Sequence, residues 1–319
     1  MRELPAALVH AVEQALARVP PARIERAAHE LSARYRGDRT TTTPLASGAT
    51  DALAYATLLL PACYAQISAA LRATAARAPG WVPYSQLDLG SGPGTALWAA
   101  TAQWPALQRL TALEREPAFL ALARELAAAS PVIQQTHWLR GDVTAPPDAP
   151  ADLVTIAHVL NELPAAQQAR AVAAAWQRTA GVLLIVEPGT PAGFAVVRAA
   201  RDQLLALGAR TLAPCPHDLP CPLADDWCHF PERIVRPAFT RRARGASSPY
   251  EDAKYAYAAM ARFAAEVPIA ARVLREPFAN KAYAEAQLCT ADGISTARAS
   301  RRERAAYDAI AELVWGETC

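Results

Sequence analysis

The segment Leu87-Asp88-Leu89-Gly90-Ser91-Gly92-Pro93-Gly94 places three glycines at alternate positions, directly after an apolar stretch. Glycine has no Cβ, so such a turn lets peptide amides lie against a ligand that other side chains would hold off. Strand, glycine turn and helix in that order is how open α/β sheets present backbone to a nucleoside-containing molecule. The dinucleotide fingerprint G-x-G-x-x-G would need glycine at Thr95 and is absent. Further positions carry groups suited to the same ligand. Glu114 ends the next apolar run, where a carboxylate can accept both ribose hydroxyl protons. Asp142 follows a third run and can accept from an adenine amine or cap a helix. A fourth run leads into His158-Val159-Leu160-Asn161-Glu162. There Asn161 can orient a reacting partner and Glu162 can take its proton, or the two can simply cap the next helix.

A second constellation is built on sulfur. Cys215, Cys221 and Cys228 follow the spacing C-x5-C-x6-C, and Cys289 is a candidate fourth ligand. Clustered thiolates suit zinc or an iron–sulfur cluster. The short C-x2-C knuckle of many zinc sites is missing, and the longer gaps, stiffened by Pro216 and Pro222, leave room to wrap a larger cluster. His217 and His229 can replace Cys289 if the metal is zinc, or serve as loop residues beside it. Cys63 and Cys319 match no partner and are read as ordinary thiols.

Directly after the cysteines come Arg233, Arg236, Arg241, Arg242 and Arg244. A guanidinium binds phosphate oxygens through two parallel N–H groups, so the stripe points to an RNA backbone, with Phe239 placed to stack on a base. A solvated basic face is the alternative.

The Asp-x-Gly-x-Gly-x-Gly pattern resembles motif I of class I S-adenosylmethionine (SAM) methyltransferases, which implies a SAM site of Asp88, Gly90, Ser91, Gly92, Gly94, Glu114, Asp142 and His158. The Asn/Asp-Pro-Pro-Tyr box used for exocyclic amines is missing. A wider resemblance rests on Val186–Thr190, on Cys215–Phe230 with its Asp226-Trp227-Cys228-His229 block, on Tyr250–Tyr257, on Leu288-Cys289 and on Trp315-Gly316-Glu317. From about Tyr35 onward the chain is similar to the methyltransferase-like assembly factors of the small ribosomal subunit, found in mitochondria and bacteria. The resemblance implies association with small-subunit ribosomal RNA, a [4Fe–4S] cluster on Cys215, Cys221, Cys228 and Cys289, and methyl transfer that is active or degenerate. The alternatives are an RNA-binding assembly factor with a vestigial SAM pocket, or a small-molecule methyltransferase with a structural zinc or iron–sulfur site.

These residues need a scaffold, and the pattern of apolar runs supplies one. Candidate strands at 84–89, 109–113, 136–139, 153–158 and 182–186 alternate with Ala-rich helical stretches, which predicts a Rossmann-like α/β fold with a parallel sheet. Ahead of it, residues 1–80 read as a helical cap, broken at Gly37-Asp38 and Thr40–Thr43 and again near Pro61. The SAM-binding core spans 81–200, a Cys/Pro/Arg-rich insertion 201–249, and late strands and a final helix at 250–319 are expected to complete the core. The 319 residues, 52% hydrophobic, suffice for such a core. The net charge of +2 announces no DNA partner, and with no run of eighteen apolar residues no membrane span is expected. Met1-Arg2-Glu3-Leu4-Pro5 lacks a signal h-region, and the Arg/Ala-rich composition resembles that of a GC-rich bacterial genome, so a bacterial cytoplasmic location is expected.

Overall fold

The computed structural model describes residues 3–36 and 46–319, so the breaks expected at Gly37-Asp38 and Thr40–Thr43 lie outside the described residues. In chain order the elements begin with four helices: α1 (Ala6–Leu16), α2 (Pro21–Arg36), α3 (Gly48–Leu58) and α4 (Leu60–Arg77). Pro61 occupies the first turn of α4, where its missing N–H costs nothing, and the α3–α4 break falls just ahead of it at Leu59. The alternating region follows: β1 (Ser85–Leu89), α5 (Thr95–Gln103), β2 (Arg109–Glu114), α6 (Pro117–Ala127), α7 (Pro131–Gln134), β3 (His137–Arg140) and β4 (Ala151–Ala157). After a 3₁₀ turn at Leu160–Glu162 come α8 (Ala165–Arg178), β5 (Thr179–Pro188), α9 (Pro191–Ala206) and β6 (Arg210–Ala213). The chain ends with β7 (Phe230–Val235), α10 (Ala238–Arg244), β8 (Tyr250–Ala261), β9 (Ala271–Val273), β10 (Phe278–Ala279), β11 (Tyr283–Thr290), β12 (Gly293–Ser300) and α11 (Arg304–Ala311).

The principal sheet runs β3-β2-β1-β4-β5-β8-β6, with β7 also paired to β8. Strands β1 to β5 are parallel, as expected, and β8 enters antiparallel beside β5, so the sheet is mixed. Both faces are covered. On β5, Val182, Leu184 and Val186 pack toward α4 and α5, while Leu183 and Ile185 pack toward Trp176 of α8 and Phe194 of α9. That double burial is why β4 and β5 appear as near-continuous apolar runs.

Two features depart from the expectation. Strands β6 and β7 share one edge of β8, Thr211 and Ala213 opposite its end and Phe230–Val235 opposite its beginning. The cysteine-bearing stretch 214–229 is thus an excursion from a single edge position of the sheet. In addition, β9 to β12 do not join the principal sheet: they form a separate four-stranded antiparallel sheet with α11 against it, although Leu274 and Cys289 still pack into the core of the principal sheet. Only β8 of the late strands joins the principal sheet.

Candidate functional site

The carboxyl ends of β1 to β4 open onto a cavity enclosing about 740 Å³, counting the space continuous with solvent. Gly90, Gly92, Glu114, Asp142, His158 and Glu162, chosen from four separate loops of the sequence, all line it. Its roof comes from the N-terminal layer and α6: Tyr35, Ala46, Tyr55 and Phe119.

The glycine turn is fixed before any ligand arrives. The N–H groups of Gly90 and Ser91 both donate to the Leu113 carbonyl, at 2.8 and 3.0 Å. Gly90 has φ +74°, and a Cβ there would collide with Val159 Cγ2. Gly92 has φ +53°, but its nearest neighbour for a Cβ is Phe119 Cδ1 at 4.0 Å, so its bare face is turned to the cavity. Glu114, 9% exposed, accepts from the Gly92 N–H through Oε2 and from the Glu116 N–H through Oε1, both at 2.9 Å. It locks the turn in place, and each carboxylate oxygen retains lone-pair capacity for a hydroxyl.

The other expected residues divide. Asp142 accepts from both the N–H and the hydroxyl of Thr144, at 2.8 and 2.6 Å, and these bonds hold its pKa below the usual carboxylate value. It closes a local turn rather than a helix while still lining the cavity. Asp88 lies behind the cavity, not on it. Its Oδ1 accepts from the Thr155 hydroxyl at 2.6 Å, and burial pushes its carboxyl up to about 7. Ser91 is buried off the cavity, and a Cβ on Gly94 would press on Trp138 at 3.2 Å.

His158 is the only non-glycine residue with positive φ among the described residues, at +60°, a conformation that concentrates at functional sites. It sits on the wall between the first cavity and a second of about 810 Å³, which Asn161, Gln66, Cys63 and Lys254 also line. Asn161 therefore faces the second cavity and Glu162 the first, where Glu162 accepts from the Tyr35 hydroxyl at 3.2 Å. Beneath this wall Glu187 is fully buried and accepts from the Leu160 N–H at 2.9 Å; burial pushes its carboxyl up to about 8. Sequence reasoning gave Glu187 no role, although a lone acid ending the apolar run Val182–Val186 marks it. Tyr35 and Tyr55 carried no such signal.

Cys215, Cys221, Cys228 and Cys289 all line one apolar cavity of about 510 Å³ between α9, the 214–229 excursion and β11. Burial raises the thiol pKa of Cys215, Cys228 and Cys289, the last to about 12, and the neighbouring thiols push in the same direction. Among the described residues no group of three or more His, Cys, Asp or Glu side chains is arranged to hold a metal ion. His217 joins this cavity, its Nε2 3.9 Å from Cys289 Sγ, whereas His229 stacks on Trp227 at 5.1 Å. Arg201, 3% exposed, ties the excursion down by donating to the His217 and Leu219 carbonyls, both at 2.9 Å.

The arginine stripe is largely engaged within the protein. Arg233 makes a two-pronged pair with Asp252, at 2.7 and 2.8 Å, and Arg236 pairs with Glu251 at 3.1 Å. Arg244 donates to the Leu58 carbonyl at 2.9 Å. Arg241 and Arg242 stand exposed on α10 with no side-chain partner among the described residues. Phe239, expected to stack on a base, is corrected to a core residue: it is 2% exposed and packs with the N-terminal helices. A ring on the buried face of a basic amphipathic helix is indistinguishable in sequence from one on its outer face.

A family model described as mitochondrial small ribosomal subunit Rsm22 matches residues 49–319. The chain is 30% identical over 291 residues to the human "Ribosome assembly protein METTL17, mitochondrial", covering 83% of this chain and 61% of that one. It thus spans about three-fifths of that relative's length. Among solved structures, it is similar to the magnesium protoporphyrin IX methyltransferase of Synechocystis PCC 6803 with bound SAM (10% identity, TM-score 0.43, covering 73% of this chain and 91% of that one). It is also similar to an O-methyltransferase family protein of Burkholderia thailandensis (12% identity, TM-score 0.44, covering 68% and 61%). The bacterial cytoplasmic placement is overturned: the matching family and the human relative are both described as mitochondrial. Neither an Arg/Ala-rich composition nor the lack of an h-region in Met1–Pro5 separates a bacterial protein from a mitochondrial one. On the match over residues 49–319 and the identity shared with the human protein, the chain belongs to the mitochondrial small ribosomal subunit Rsm22 family.

Proposed function

We propose that this protein is a SAM-binding, methyltransferase-like factor of small-ribosomal-subunit assembly that contacts ribosomal RNA and carries a [4Fe–4S] cluster. The observation that carries the SAM reading is convergence: residues of four strand-end loops meet at one cavity, with a side-chain-free backbone face at Gly92, whose N–H is held by Glu114, and the Glu114 carboxylate beside it. Gly90, Gly92, Glu114 and Asp142 would hold the nucleoside portion, and the roof of Tyr35 and Tyr55 would exclude water. SAM, when bound, supplies an electrophilic methyl group. The chain's own task is then to align a nucleophile across the His158 wall, with Asn161 orienting it from the second cavity. Glu162 would accept the displaced proton at Oε1, where Tyr35 now donates.

The thiol cavity fits an iron–sulfur cluster by its donor set. Cys215, Cys221, Cys228 and Cys289 line one apolar cavity, and, with zinc the alternative, four soft thiolate donors on one cavity suit an iron–sulfur cluster. Cys215, Cys221, Cys228 and Cys289 would hold it, and it would supply a redox-sensitive staple between the excursion and the second sheet. Arg241 and Arg242 are the stripe residues left to meet RNA phosphate.

Titrating SAM into the full chain by calorimetry tests the first part. Saturable heat that disappears in Gly92→Trp is the expected result; no heat in the wild-type protein sinks the reading. A second reading, assembly without methyl transfer, draws on the position of Asn161, which lies outside the SAM-type cavity. Co-sedimentation with small subunits that persists in Gly92→Trp favours it.

A further inference from the structure

We propose that the cavity between α4, β7–β8 and the C-terminal segment is a binding site for a phosphoryl oxyanion. This cavity of about 870 Å³, open to solvent, lies across Phe230 and Tyr257 from the thiol cavity and is lined by Arg72, Arg77, Arg272, Tyr255, Tyr257 and Trp315.

Its chemistry is lopsided. Arg77 and Arg272 are each 5% exposed, and neither forms an ion pair with a carboxylate among the described residues. Arg77 Nε donates to the Leu212 carbonyl at 2.8 Å. Arg272 donates to the Pro214 and Gly316 carbonyls at 2.8 and 2.6 Å. Carbonyls satisfy N–H groups but leave the net charge in place, and a buried charge without a counter-ion is costly. Arg272, opposite Cys289 across the β9–β11 pairing, also acts on the thiols, whereas among the described residues Arg77 has only the Tyr257 phenol near it as an acid. Three buried donors remain without an acceptor: Arg77 Nη1, Arg272 Nη2 and Trp315 Nε1. The two guanidiniums also oppose each other, since burial and then the charge of Arg272 lower the pKa of Arg77. The phenol hydroxyls of Tyr255 and Tyr257 belong to residues of the same wall and can donate as well.

Of the two acids on this wall, Glu232 is paired with Arg72 at 3.0 Å, and Glu317 accepts from the Val314 N–H at 2.9 Å, which orients its carboxylate and leaves one negative charge against the two buried guanidiniums. An anion with several acceptor oxygens would neutralise the guanidiniums and give the stranded donors their partners. Phosphate has this geometry, and guanidinium forks are suited to it. The phosphoryl group belongs either to a small phosphomonoester or to a nucleic-acid backbone.

Thermal unfolding of the full, metal-loaded chain tests the site, with chloride exchanged for inorganic phosphate at constant ionic strength. Phosphate at ten times its Kd should raise the midpoint by about 2 °C. Arg77→Gln should abolish the response. Arg72→Gln, at the exposed mouth and safe for folding, should weaken the apparent affinity about fivefold or more. Adenosine monophosphate acting where an oligonucleotide without terminal phosphates does not identifies a monoester; competition by that oligonucleotide identifies the backbone. The proposal falls if wild-type protein shows no phosphate-specific shift or if Arg72→Gln responds like wild type. It falls equally if Cys221→Ser alone abolishes the response, because the arginine charge would then serve the thiol cavity.

Discussion

At the scale of single residues, the two cavity glycines make the clearest contrast. Both have positive φ, so alanine at either bears the left-handed cost of roughly 1–2 kcal/mol. At Gly90 the new methyl also strikes Val159, adding overpacking of about 1–3 kcal/mol, so Gly90→Ala should lower the urea midpoint substantially. At Gly92 the methyl enters open space, so Gly92→Ala should lose only the conformational share of stability yet weaken nucleoside binding. Equal loss of stability in the two variants would remove the basis for assigning the open face to a ligand. The buried acids give a second test. Folding raises the pKa of Asp88 to about 7 and of Glu187 to about 8, so the native state holds protons that the unfolded chain has released. Their contribution is complete below about pH 4 and declines as pH rises to about 8, where it levels off. Urea midpoints should therefore fall between these limits, and Asp88→Asn with Glu187→Gln should flatten the slope. An unchanged slope in the double variant would assign the titration elsewhere.

At the scale of elements, what the sequence made legible follows from how strands are buried. Strands β1, β4 and β5 lie between two helical layers, so their apolar runs stand out and their positions were found to within a few residues. The second sheet was harder to place. β12 has one buried residue, Ala299, so its pattern does not say which layer it joins. Proline-rich spacing likewise concealed that β6 and β7 occupy one sheet edge, although the four cysteines of the excursion between them and of β11 were legible as a set. Arg201 reveals how that excursion is held: one buried guanidinium bridges two of its carbonyls. Arg201→Met keeps the apolar stem and deletes these bonds, each worth about 1.5–3 kcal/mol as a charged hydrogen bond, less the relief of unburying the charge. Amide exchange across 215–221 should quicken by tenfold or more while β4 and β5 stay protected; uniform loss of protection would mean a global role instead.

At the scale of the whole molecule, the first cavity exists only because two layers meet. The sheet supplies its floor, and α2, α3 and α6 supply Tyr35, Tyr55 and Phe119 above it. The sequence identified the floor from its glycines and acids, but the roof is aromatic, and aromatic residues on amphipathic helices look like core. The charged link between the roof helices is the pair between Arg34 of α2 and Asp51 of α3, with two hydrogen bonds at 2.8 and 2.9 Å, beside the Arg23–Thr50 hydrogen bond and the Tyr35–Tyr55 ring contact. Asp51 is 15% exposed and also accepts from the Ser47 N–H, so its carboxylate is already oriented when the guanidinium arrives. An ordered bidentate pair of this kind exceeds the median surface ion pair, and a double-mutant cycle on Arg34→Ala and Asp51→Ala should return a coupling of about 1 kcal/mol. The consequence for function is kinetic. Loosening α2 withdraws Tyr35 from Glu162 without touching the glycine turn, so ligand release should accelerate while association changes little. Stopped-flow displacement of a fluorescent SAM analogue separates the two rates. Faster release in Arg34→Ala, with the association rate constant intact, identifies the N-terminal layer as the element that retains the ligand. Unchanged release would make it a passive wall.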